Sequence, residues 1–426
     1  MTARGGIAED GFIFLTPSNG KGHDGPMIVD DAGELVWMRP DLSGYATDLR
    51  VASYQGQPVL VWWEGDNNAG IGSGEHVVVD AAYRELFRVP GGHGRQADLH
   101  EFRLTDRNTA LFFADAVVGA GAGPGQPADL LDCAVQEVDL VSGAVVFEWH
   151  SLDHIDVSES VEAPPAEAGQ AYDYFHANSI DEDADGNLIV SARNTSAVYK
   201  IERPTGRVLW RLGGKRSDFR MGPGTGFALQ HDARRRPDGT LSIFDDGQAG
   251  PSRGIVLRVD ETAMTAALVR EYPSPAGLLS TSQGNVQFLP GGNVFVGWGS
   301  VPRFSEFSVD GRLVLDAGFT ASQSYRDFRF PWVGRPMEPP AIAVDVATDG
   351  LVVFASWNGA TEVASWEVLA GGATGAMRSV ATSPRRGFET VISVPGLALP
   401  GTRFAARALD AAGAVLGISP TIAAPV

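Results

Sequence analysis

DADGNLIVSAR (183–193), ERPTGRVLWRLGG (202–214) and PDGTLSIFDDG (237–247) follow one another along the chain, and their alternation decides the fold. The first and third are one kind of unit, a polar turn carrying Gly and then a strand of alternating apolar residues. The second is another kind, a tight Thr-Gly turn leading into a strand that contains Trp. Working outward, the first unit recurs at QGQPVLVWWEGD (55–66), TDRNTALFFAD (105–115) and PGGNVFVGWG (290–299). The second recurs at DDAGELVWMRP (30–40), DLVSGAVVFEWH (139–150) and SVDGRLVLDAGF (308–319). Asp-Gly, Ser-Gly and Thr-Gly supply the positive-φ positions that hairpin turns require. An inner hairpin followed by an outer hairpin makes a four-stranded blade.

Counted this way, five blades run contiguously at about 45–90, 97–150, 172–214, 228–273 and 282–319. GFIFLTPS and GPMIVDDAGELVWMRP (11–40) and SYRDFRFPWVG (324–334) are strands left over at the two ends. Joined, they complete a sixth blade and remove the free sheet edges. The expected fold is all-β: a six-bladed β-propeller over 1–335, closed by N- and C-terminal strands. After Arg335-Pro336 the composition changes, and 336–426 is expected to be a fibronectin type III-like β-sandwich with Trp357 and Trp366 in its core.

Composition agrees with this and narrows the function. The 426 residues include 52 Gly and 26 Pro, yet 44% are hydrophobic, so the chain has both turns and a core to bury. Its 52 acidic against 33 basic residues give a net charge of −19, which repels polyanions and argues against a nucleic-acid partner. Cys133 is the single cysteine, so no intrachain disulfide and no thiolate zinc site can form. No apolar run has the length of a transmembrane helix and MTARGGIAEDGF shows no export signal. A cytoplasmic location is expected as the sequence stands, or a secreted or cell-surface one if a leader has been removed; the chain is expected to be monomeric.

Propeller chemistry lies on the axis, where the inner strands meet. The inner strands here are ATDLR (46–50), ADLHEF (97–102), DYFHANS (173–179), ALQHDAR (228–234), QGNVQF (283–288) and SYRDFRF (324–330). Counting eight residues back from each turn places His100, Asn178 and His231 at one level, with His176 one step above. Asn285 and Gln287 lie beside them, and Arg193 and Arg234 supply positive charge for an anion. Such a cluster can bind a metal, move protons or act as a nucleophile, and spacing alone does not choose. Weaker signals read as structure: DEDADGN (181–187) is a blade turn rather than a calcium loop, because Ala192 stands where the loop-ending Glu belongs. GAGAGPGQPAD (119–129) is a flexible insertion, and 151–173 is a longer one that could cover the site. His23, His76, His93, His150 and His154 are expected on the surface or in loops, and Cys133 as a buried thiol.

DYFHANSIDEDADGNLIVSARN, TGRVLWRLGG and FALQHDARRRPDGTLSIFDDG, in that order, resemble the PAPS-independent arylsulfate sulfotransferases. GFIFLTPSNGKGHDGPMIVDDAGELVW and QGNVQFLPGGNVFVGWG resemble their actinobacterial and fungal branch. The resemblance covers about 11–334 and implies a six-bladed propeller that passes a sulfuryl group from an aryl sulfate to a phenol by a ping-pong route, with no cofactor and no metal. By motif, His231 would be the nucleophile, and His176 and Asn178 would bind sulfuryl oxygens or protonate the leaving phenolate. Arg193 would neutralise charge, and His100 would complete the pocket. Two other functions fit the same residues: acid/base chemistry on an aromatic natural product, and ligand binding by a propeller without catalysis.

Overall fold

The computed structural model describes the chain except residues 1–2, 5–6, 21–22, 43, 120–128, 167–169, 248–249, 349, 373–374, 396–400 and 425–426. The insertion at 119–129 therefore falls almost wholly outside the described residues. The fold is all-β, in several largely antiparallel sheets, and the described residues include one short helix, Ser151–His154, and one 3-10 turn, Val157–Glu159. Among the described residues no helix is long and apolar enough to cross a membrane.

Two compact units form, one of residues 1–26, 41–78 and 87–330, the other of 27–40, 79–86 and 331–426. In the first, the repeat becomes a series of antiparallel meanders. Ala177–Glu182, Leu188–Ala192, Ala197–Ile201 and Val208–Gly213 pair in chain order, turning at Gly186 (φ +81°) and Gly206 (φ +73°). His231–Arg235, Leu241–Asp245, Arg253–Asp260 and Thr265–Pro273 repeat the pattern, as do Asn285–Phe288, Val294–Gly297, Arg303–Phe307 and Leu313–Gly318. Earlier in the chain, Gln96–Leu104, Thr109–Gly119, Asp129–Asp139 and Val145–His150 form a further meander. Near the ends of the unit, Phe12–Leu15 pairs antiparallel with Phe328–Phe330.

Consecutive sheets pack face to face. Ile189, Val198 and Leu212 of one sheet meet Leu241, Ile243 and Ile255 of the next, and Phe244 and Val256 meet Val286 and Val296 of the one after. Inner strands are thus buried on both faces and read as nearly continuous apolar runs. Each buried Val, Leu or Ile contributes about 2 kcal/mol. The Trp that ends an outer strand has a definite task. Trp149 donates its indole N–H to the Gly206 carbonyl, 2.9 Å away in the turn of the following sheet.

His76 is not at the surface. It is buried, stacked on Phe102 with ring centroids 4.3 Å apart and close to Phe112, and neither ring nitrogen has a hydrogen-bond partner among the described residues. Burial, with Arg50 nearby, pushes its pKa down to about 3. The unfolded chain takes up a proton at this residue below its ordinary value and the folded chain does not. Stability therefore falls as pH falls from about 6.5 toward 3, by about 2 kcal/mol from this residue between pH 7 and pH 5. His76→Phe should flatten that dependence. Denaturant unfolding of both proteins at the two pH values measures it, and parallel slopes would rule the account out.

The second unit is built from Ala341–Ala347, Gly350–Ser356 and Glu389–Pro395 in one sheet, and Ser365–Gly371, Arg378–Pro384, Arg403–Leu409, Val415–Ile418 and Ile422–Ala423 in another. Val353, Trp366, Val368, Ile392 and Phe404 form its core, with Trp357 partly buried against them. Residues 27–40 belong to this unit. Trp37 stacks on Tyr83 at 4.9 Å, the Tyr83 hydroxyl donates to the Gly359 carbonyl, and Asn358 bonds both backbone groups of Met38.

Candidate active site

The inner strands are not regular. Register slips between Thr47 and Arg50, between Ala97 and Phe102, between Ala177 and Ser179, and between His231 and Arg234. Asp48, His176, Asp232 and Gln283 lie in the left-handed region, at φ +64°, +53°, +54° and +71°. Non-glycine residues there cost about 1 kcal/mol or more each, and bulges of this kind re-aim side chains.

They aim three imidazoles into one cavity of about 700 Å³. His100 and His176 meet edge to face with centroids 4.8 Å apart, and Tyr325 lies 5.4 Å from His100 and 6.3 Å from His231. Every one of the three binds an aspartate through Nδ1. His231 is 2.7 Å from Asp246 Oδ2, His100 is 2.5 Å from Asp98 Oδ1, and His176 bonds Asp173 Oδ2. Asp98 is itself fixed by the Gly72 N–H at 2.8 Å. Burial alone would raise the Asp98 carboxyl, but His100 and these hydrogen bonds outweigh it and bring it down. Anchoring at Nδ1 leaves Nε2 as each ring's working nitrogen. Gly70 admits His176 closely, since a Cβ there would stand 3.3 Å from its Cε1.

His231 is the most constrained of the three. The Gln283 backbone N–H donates to its Nε2 at 3.2 Å, so that nitrogen carries a lone pair. Burial disfavours charge on both partners, pushing His231 down and Asp246 up. The single proton between them sits on Nδ1, because Nε2 is occupied as an acceptor. Burial, then the positive charge of Arg193 and the other two histidines, hold His231 well below the ordinary histidine value. It is a neutral imidazole at neutral pH, and its one lone pair, on Nε2, accepts the Gln283 N–H. Arg193 lines the same cavity, donating to Asn194 Oδ1 at 2.8 Å, with Glu162 Oε1 at 3.4 Å and the Thr281 carbonyl at 3.3 Å.

Beneath the cavity lies a network of three carboxylates and three arginines. Glu101 receives Arg50 at 2.9 Å and Arg234 at 2.5 Å, and Arg326 is 3.6 Å away. Arg326 reaches Asp48 at 3.3 Å and Asp232 at 3.6 Å, and donates to the Asn178 carbonyl at 2.7 Å.

Of the residues singled out in the sequence, His100, His176, His231 and Arg193 come together on the cavity. The other four do not. The Asn178 amide donates to the Gln230 carbonyl. Asn285 and Gln287 each bond both backbone groups of a facing residue, Asp327 and Arg329 respectively. Arg234 belongs to the ion network. Sequence reasoning missed the three aspartates, Tyr325 and Gln283. The D-x-H and D-x-x-H spacings of Asp98 and Asp173 were visible, whereas Asp246 meets His231 only across the paired strands. DEDADGN is a turn whose carboxylates surround Lys200, with Nζ 2.9 Å from Asp183 and 2.8 Å from Asp185. Cys133 is buried.

No curated protein matches the chain. Among solved structures it is similar to a protein of unknown function from Bacteroides caccae, at 15% identity over 75% of this chain and 99% of that one, TM-score 0.47. It is also similar to a catalytically inactive virginiamycin B lyase from Staphylococcus aureus with quinupristin, at 9% identity over 82% and 93%, TM-score 0.38. A regucalcin, a calcium-binding protein from Agrobacterium tumefaciens, matches at 11% identity over 73% and 82%, TM-score 0.37. The family model described as arylsulfotransferase (ASST) matches residues 50–320, well over half of the chain and including His100, His176, His231 and Arg193, and the protein belongs to that family.

Proposed function

We propose that the protein transfers a sulfuryl group from an aryl sulfate to a phenol, without a nucleotide donor, through a sulfated His231. The observation that carries this reading is His231 itself, a buried neutral imidazole that lines one cavity with Arg193 and whose Nε2 bears an unprotonated lone pair, held in the resting site by the Gln283 N–H. In the first step Nε2 gives up its hydrogen bond from the Gln283 N–H and attacks sulfur, the N–S bond forms and the S–O bond to the arene breaks. The phenolate leaves with a proton from Nε2 of His100 or His176. Asp246 balances the positive charge that grows on the ring, and Arg193 faces the sulfuryl oxygens. In the second step an acceptor phenol gives its proton back to that histidine. Its oxygen then attacks sulfur, and the N–S bond breaks.

Mixing the protein with p-nitrophenyl sulfate at neutral to alkaline pH should release p-nitrophenol and leave a sulfuryl adduct, seen by intact-mass spectrometry and discharged by a phenol. Because burial and the nearby positive charge hold His231 well below the ordinary histidine value, nucleophilic attack should not fall off as the pH is lowered through 6.5. Release of p-nitrophenol with no adduct on His231 under any quench would overturn the covalent route. The three aspartate-anchored histidines also suit a second reading, acid/base chemistry on an aromatic natural product, in which no adduct forms.

The same proposal includes the scaffold: the meanders as blades of a six-bladed propeller, supported by the pairing of Phe12–Leu15 with Phe328–Phe330, and the second unit's two sheets as a fibronectin type III-like sandwich. A monomer is proposed.

A further inference from the structure

A second cavity, of about 710 Å³, opens among the same inner strands and shares no lining residue with the histidine cavity. Neighbours in sequence divide between the two. His100 and His231 line the first, Glu101 and Asp232 the second. The second cavity is walled by Phe102, Phe288, Phe328 and Phe330, and five arginines line it against two carboxylates, in a chain whose net charge is −19.

Most of that positive charge is committed. Arg50 and Arg234 belong to the ion network, Arg103 pairs with Asp181 at 2.8 Å, and Arg235 pairs with Asp183 and Glu261. Arg236 is different. Its guanidinium lies 3.5 Å over the Phe288 ring, and its one carboxylate contact among the described residues is a half-exposed Asp238 at 3.4 Å. Its Nη1 also donates to Thr240 Oγ1 at 3.3 Å, but its Nε, like that of Arg235, is buried with no hydrogen-bond partner among the described residues. The same is true of the Ser242 hydroxyl, on a residue 1% exposed that lines this cavity. A buried donor left unpaired costs free energy that a bound acceptor would recover.

We infer that this cavity is a second ligand site, separate from the histidine cavity, for an aromatic anion: a planar ring carrying a carboxylate or a sulfo group. The ring lies against the phenylalanines, and the anionic oxygens take hydrogen bonds from Arg236 and Ser242. The site rests on unpaired donors, aromatic walls and local charge, not on sulfuryl transfer.

The probe is 4-nitrobenzoate, an aryl carboxylate with no group to transfer, titrated calorimetrically into the full chain. Arg193→Gln disables the histidine cavity, and binding should persist in that variant. Adding Arg236→Gln should weaken the remaining binding at least tenfold. Adding Ser242→Ala instead should weaken it severalfold, with the thermal midpoint within a degree or two of the Arg193→Gln protein. 4-Nitrotoluene, the uncharged analogue, should bind at least tenfold more weakly. Loss of all binding on Arg193→Gln alone, or binding indifferent to both added substitutions, would overturn the second site. Equal affinity for the uncharged analogue would overturn the anion. Turnover of p-nitrophenyl sulfate is measured separately, so failure of the site and failure of the sulfuryl reading are distinct results.

Discussion

Asp246→Asn should lower the rate of p-nitrophenol release by about 10³- to 10⁴-fold while leaving the protein folded. An asparagine at this position would turn its NH₂ toward Nδ1 or its carbonyl, and only the carbonyl preserves the tautomer that donates from Nδ1. If the NH₂ faces the ring, the proton moves to Nε2. There it meets the Gln283 N–H, which now donates to Nε2 at 3.2 Å. Two donors face each other, and the lone pair that attacks sulfur is gone. Either orientation also removes the negative charge that balances the ring as it becomes cationic. His231→Asn should reduce release to the background rate. Because both substitutions act on one nitrogen, the double variant should be no slower than His231→Asn alone. Single-turnover kinetics with intact-mass detection tests both points. Asp246→Asn within tenfold of the parent would mean that the aspartate neither sets the tautomer nor steadies the charge.

The meanders were legible in the sequence because hairpin chemistry is local. Thr205-Gly206 and Asp185-Gly186 announce their turns wherever they stand, and the apolar runs between them have nowhere to lie but in a sheet. The site was legible by residue type and less so by position. Counting back from a turn assumes unbroken alternation, and the bulges at Asp98–Glu101, Asn178 and Asp232–Ala233 break it differently in each strand. Hence His176 lines the cavity while Asn178, placed level with His100 by counting, reaches a neighbouring backbone carbonyl instead. Asn285 and Gln287 mislead for a related reason. An amide carries a donor and an acceptor and can satisfy both backbone groups of a facing strand, so it serves as readily to join sheets as to bind a ligand. Asp246 and the burial of His76 depend on which strands face each other, which no local pattern carries.

Glu101→Gln should destabilise the protein by about 3–5 kcal/mol, the largest stability effect expected of any single change near the cavity. Glu101 is fully buried and receives Arg50, Arg234 and Arg326, and the Ile180 N–H also reaches it at 3.3 Å. With the carboxylate in place, three arginines face Asp48, Glu101 and Asp232 and the network is neutral. Neutralising Glu101 leaves a net positive charge away from water, with Arg326 unable to move, since it is itself completely buried. Burial alone would raise the Glu101 carboxyl, but Arg234, Arg326 and Arg50 together hold it well below the usual range. The sign follows. The stabilisation is fully present above the unfolded value near 4.5 and is lost as pH falls through the lower folded value, because the unfolded chain takes up the proton first. The parent should therefore lose stability below about pH 4.5 more steeply than Glu101→Gln, so that the gap between them narrows in acid. Denaturant unfolding at pH 7.5 and pH 4 measures the gap at both ends. A Glu101→Leu variant separates charge from shape: it also removes the acceptor, so it should be at least as unstable as Glu101→Gln at pH 7.5. A loss below 1 kcal/mol in both would mean that water reaches the arginines and the network is not what joins these strands.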